Sequence, residues 1–157
     1  MNTAEAMPVI LEALRAHPAS RTVQMRACGA LWSLAARMDA RVERAEGGAI
    51  EMVCHIPSIE MVCEICKMVC QALRSHALDA EVRERACGVL WTLAPNHDNQ
   101  VQMVAAGAVE LLFVCVTRYA AHVGIRRLAQ GALRCLAQNA CFTEEIADTQ
   151  DQMKLKI

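Results

Sequence analysis

Aromatic side chains are almost missing from this chain: two Phe, two Trp and one Tyr in 157 residues, against an apolar content of 55%. Burial must then be done by Ala, Leu, Val, Met and Cys, and small or unbranched side chains are what closely packed helices use. An excess of either charge is missing too. Sixteen Lys and Arg stand against 17 Asp and Glu, a formal charge of -1 at pH 7, which supplies no global attraction for nucleic acid or an anionic bilayer. Neither partner is expected. No run of 18 apolar residues occurs without charge. The nearest approach, Met103 to Val116, is cut by Glu110, which disfavours a membrane span. The opening "MNTAEAMPVILEALRAHP" places Glu5, Glu12 and Arg15 in and around its apolar stretch. It therefore reads as a first helix and not as a secretion signal. Nine cysteines sit in apolar, helical settings, and an odd count excludes a fully paired intramolecular disulfide set. Reduced thiols and a cytoplasmic or nuclear location are expected.

What the chain does have is repetition. "RACGALWSLAA" from Arg26 returns as "RACGVLWTLAP" from Arg85, 59 residues later, and "IRRLAQGALRCLAQ" from Ile125 keeps the same register a third time. Ala27, Leu31 and Leu34 form a 0, 4, 7 stripe, matched by Ala86, Leu90 and Leu93 and by Ala129, Leu133 and Leu136; that spacing is the buried face of a helix. Gly29, Gly88 and Gly131 recur inside these helices, where glycine costs about 1 kcal/mol relative to alanine, so their recurrence predicts close approach by a neighbouring helix. "GAIEMV" from Gly48 and "GAVELL" from Gly107 each begin with a glycine able to turn the chain at the end of a short helix. Each unit thus reads as a short helix, a middle helix and a long alanine-rich one. The first interval exceeds the second by 16 residues, and the excess lies between Gly48 and Val82, where "IEMVC" is doubled. Pro57 predicts a break there, with Ser58 capping a longer helix beyond it. A carboxyl-terminal capping helix is expected around Thr143 to Ala147.

These registers resemble those of the armadillo repeat family, over Val23 to Leu136 and in part over Met7 to His17. The resemblance implies an all-α fold, a right-handed armadillo-like superhelical solenoid of about three repeats with an irregular inserted helical segment. The units fall at 1–38, 39–97 and 98–138, with a partial cap at 139–157. In the family the third helices line a groove, where Asn near the helix end holds a peptide backbone and Trp four residues earlier supplies a platform. Here those positions are Ser33, Thr92 and Cys135, and Gly29, Gly88 and Gly131. The asparagine ladder is absent, so a family ligand does not carry over.

Candidate chemistry is sparse. Cys63, Cys66 and Cys70 share a helix face, but a straight helix spreads the outer two by about 10 Å, too far for one zinc ion even with Cys54 or His55. His97 beside Asp98 has no nucleophile assigned to it, and Gly47-Gly48 lacks the lysine and hydroxyl of a phosphate loop. No metal, cofactor or enzyme activity is expected. The function read from these residues is a noncatalytic adaptor or scaffold that binds a protein or peptide; the alternative is an assembly module that self-associates or completes a larger solenoid, with Val9 and Ile10 at its open end. Candidate partner-binding residues are Trp32, Ser33, Trp91, Thr92 and Arg134 along the third helices, with Arg83 and Arg126 offering a cationic register to an acidic partner. The two tryptophans, about 100° round the helix from the core leucines, are read first as packing between repeats and second as partner contacts.

Overall fold

The computed structural model describes residues 3–46 and 58–155, all of its regular structure helical. The elements are α1 (Thr3–Ala16), α2 (Arg21–Glu46), α3 (Ile59–Ser75), α4 (Ala80–Leu93), α5 (His97–Ala105), α6 (Ala108–Arg118), α7 (Val123–Ala137) and α8 (Thr143–Leu155). Three contacting pairs, α1 with α2, α3 with α4 and α6 with α7, form successive layers. The long helices make one row, α2 on α4 on α7, and the middle helices a second, α1 on α3 on α6. The arrangement is that of a helical-repeat stack. Leu31, Leu90 and Leu133 are all buried in one continuous core, as are Ala27, Ala86 and Ala129.

Local chemistry sets most of the boundaries. The Ser58 hydroxyl accepts from the Met61 amide at 3.2 Å, starting α3 where the Pro57 break was expected. Asp79, Asn96 and His122 do the same for α4, α5 and α7, each satisfying one of the orphan amides of a first turn. Gly107 has φ 79° between α5 and α6, the left-handed turn for which glycine is suited. The capping helix begins at Thr143 as expected and is longer, reaching Leu155.

One boundary differs. A separate short helix was expected after residue 39, but α2 runs unbroken for 26 residues to Glu46, across the expected unit boundary. The reason lies at one register: Pro95 and Asn96 stop α4 and cap α5, whereas Ala36 and Arg37 occupy the matching places in α2 and break nothing. The Gly48 junction, the middle helix after it, the first "IEMVC" copy and the Cys54–His55 pair lie outside the described residues.

A polar device repeats between the layers as well. Gln24 is buried, and its amide donates to the carbonyls of Leu14 at 2.9 Å and His17 at 3.0 Å. At the same register Arg83 donates to Ala77 and Leu73, and Arg126 to Ala120 at 3.0 Å. Each long helix thereby reaches back to orphan carbonyls at or just beyond the end of the middle helix before it. His76 adds a bond across layers, Nε2 to the Pro18 carbonyl at 2.9 Å.

Candidate interaction surface

The outward face of the long helices is built around the three glycines. A Cβ on Gly131 would stand 2.6 Å from Trp91 Nε1, and one on Gly88 would stand 2.7 Å from Trp32 Cε3. Each indole therefore lies across the glycine of the next layer. The neighbouring long helix does approach closely, and what enters the space at Gly88 and Gly131 is the indole it carries. Trp32 is half-buried, while Trp91 remains 40% exposed. Packing between layers is the role the structure shows for both rings.

Arg134, the third-register counterpart of Trp32 and Trp91, is exposed. Ser33 is exposed and Thr92 half-buried, and their hydroxyls donate back to Gly29 and Gly88 carbonyls at 3.0 and 2.9 Å. Their oxygens still have lone pairs to offer. Arg126 is exposed with one nitrogen committed to Ala120.

Arg83 does not belong to this surface. It is 2% exposed and points into the core. The register it shares with Arg126 serves to cap helix ends, which explains why a cation there need not face a partner. Its guanidinium donates to Ala77 at 2.7 Å and to Cys115 Sγ at 3.0 Å, and lies 5.1 Å from the centre of the Tyr119 ring. Tyr119 in turn donates its hydroxyl to Ala77 at 2.9 Å. No carboxylate pairs with Arg83 among the described residues. A buried cation needs compensation, and Cys115 supplies part of it. A hydrogen bond from Cys87 and the nearby Arg83 charge pull the Cys115 thiol down to about 7, against the opposing effect of burial. Burial is the largest cause pushing Cys28 and Cys66 up to about 12, opposed by Arg85 at Cys28 and aided by Cys70 and Cys63 at Cys66. These two are packing thiols.

Three further arginines complete the face. Arg26 and Arg85 stand three residues before Gly29 and Gly88, and Arg127 four before Gly131; Arg26 and Arg127 are exposed and Arg85 half-buried. Their spacing from the glycines was the available signal, since positions three or four apart share a helix face. Arg26 and Arg85 line an open notch of about 520 Å³ with Met25, Gly29, Ala30 and Ser33. A second, polar notch of about 470 Å³ lies at the ends of α4 and α7. There Asn139 Nδ2 lies 2.7 Å from Gln100 Oε1 and 2.8 Å from His97 Nδ1. His97 thus joins a bridge between helix ends.

Among the described residues no group of three His, Cys, Asp or Glu converges as a metal site. No single helix there is long and apolar enough to cross a membrane; α5 and α6 are apolar enough together but meet at 81°. No family model matches the chain, and neither a curated protein nor a solved structure matches it.

Proposed function

We propose that the chain is a noncatalytic protein-binding adaptor or scaffold, a right-handed armadillo-like solenoid whose long-helix face takes an acidic protein or peptide in the cytoplasm or nucleus. The observation that carries this reading is the cationic and aromatic stripe of Arg26, Arg85, Trp91, Arg127 and Arg134. No carboxylate among the described residues forms an ion pair with these arginines. Arginine and exposed indole are favourable interface anchors. The experiment is cross-linked partner capture with the native chain and with an Arg127→Glu, Arg134→Glu variant of unchanged helicity. Capture lost on charge reversal supports this face; equal recovery overturns it.

A second reading, assembly, is favoured by the open side of the first layer. Val9 is 61% exposed on α1. Concentration-dependent self-association abolished by polar substitution of Val9 and Ile10 is its test.

A further inference from the structure

Gly88 and Gly131 each hold an indole delivered by the layer before, and Gly29 has the same outward register with no described layer before it. Its notch stands open, and what reaches over it comes from the layer after: Arg85, whose Nη1 would lie 2.6 Å from a Cβ on Gly29. Arg85 has no hydrogen-bond or ion-pair partner among the described residues, and a guanidinium is a flexible, planar group that stacks on aromatic rings.

The surrounding positions show the same vacancy. Ala30 is half-exposed, whereas Val89 and Ala132 at its register are fully buried. On α1, Ile10 and Ala13 are partly exposed, whereas Val69 and Ala72 at the matching places of α3 are buried. Among the described residues the first layer is therefore uncovered at the positions where the second is covered by a helix pair, and in both later layers an indole fills the glycine slot.

We propose that the Gly29 notch is a docking site for a tryptophan-bearing helix of a partner protein, with the indole seated on Gly29 against Arg85 and flanking carboxylates meeting Arg26 and Arg85. This rests on the reading of the chain as a binding module and names the chemistry that one end of its surface recognises. A second copy does not fit the slot. Both of its indoles are already seated on Gly88 and Gly131, and its third register would bring Arg134 against Arg26 and Arg85.

The test titrates the ¹⁵N-labelled full chain with a lactam-bridged helical peptide carrying one Trp flanked by Glu, and with the same peptide carrying Ala for Trp. Saturable shifts are expected at the Gly29 and Ala30 amides and at Arg85 Nε. They weaken about tenfold or more with the Ala peptide and with a Gly29→Leu chain, a loss of about 1.4 kcal/mol or more. Unchanged indole N–H resonances of Trp32 and Trp91 certify the fold of that variant. Shifts elsewhere, shifts that survive Gly29→Leu, or no shifts overturn the proposal. Sedimentation showing a dimer that Gly29→Leu dissolves would place a second copy in the slot and overturn it equally. Partner capture through Arg127 and Arg134 is untouched by Gly29→Leu, so the slot can fail while the binding reading stands.

Discussion

The buried Arg83–Cys115 contact makes stability depend on pH in a window where few other groups act. Cys115 is lowered from 9.0 to about 7 in the folded chain, by the Cys87 hydrogen bond first and by Arg83 as well. A group whose folded value is depressed binds its proton more tightly when unfolded. Its stabilisation is fully present above about 9 and is lost as pH falls through 7. Because Cys115 shares its proton with Cys87, the effect belongs to the pair and is on the order of 2 kcal/mol. Cys28, Cys66 and Cys70 act with the opposite sign, because burial raises them to about 12, 12 and 11. They contribute fully below about 9, and that contribution is lost as pH rises toward their folded values. Urea unfolding followed by helicity, in a reductant, is therefore expected to show stability rising from pH 7 to about 9 and falling above it. The rise corresponds to roughly 5–10 °C in Tm for a chain of this size. Cys87, raised first by its bond to Cys115 and then by burial, adds to the falling limb; Cys115→Ser should therefore flatten the rising limb and leave in place the part of the falling limb that Cys28, Cys66 and Cys70 supply. A native profile flat between pH 7 and 9, or a Cys115→Ser profile with the same slope, would refute the thiolate as partner of Arg83.

Other outcomes follow from single contacts. Gly88→Ala drives a Cβ into the Trp32 ring system and should destabilise by about 1–3 kcal/mol despite better helix propensity, as read from urea midpoints. Gly29→Ala meets only the end of Arg85, so the same assay should show it neutral or stabilised by up to about 1 kcal/mol. Asp79→Ala removes both the α4 cap and the ion pair to Arg21 across layers, and should cost about 1–2 kcal/mol. The Val82 amide and Arg21 hold the Asp79 carboxyl below its ordinary value against partial desolvation. Its contribution is thus present above the ordinary carboxylate value and lost as pH falls through the folded one, which a native-minus-variant acid titration would detect.

The layered plan was legible because it rests on periodicity: the leucine and alanine stripes, the Ser58 cap and the Gly107 turn depend on local chemistry. What escaped depended on neighbours that sequence spacing does not name. Gly88 and Gly131 announce the close approach of a neighbouring helix, but not that its indole is the group that fills the space. Arg83 was read as a surface cation, because nothing nearby in the chain announces that Leu73, Ala77 and Cys115 converge on its nitrogens. The continuity of α2 was different. Ala36 in place of Pro95 was visible, but the similarity of the flanking motifs outweighed it. Of the candidate surface, Trp91 and Arg134 are exposed and Trp32 is turned partly inward, and the fold adds Arg26 to the arginines near the long-helix starts.

The most direct test is a NOESY spectrum of the native chain, read for contacts from the Trp32 ring protons to Gly88 Hα and from the Trp91 indole N–H to Gly131 Hα. The account predicts both sets, each joining a layer to the next. Indoles that contact only residues of their own layer, or that show solvent-exposed behaviour with no such cross-peaks, would contradict the stacking on which the surface and the Gly29 slot depend.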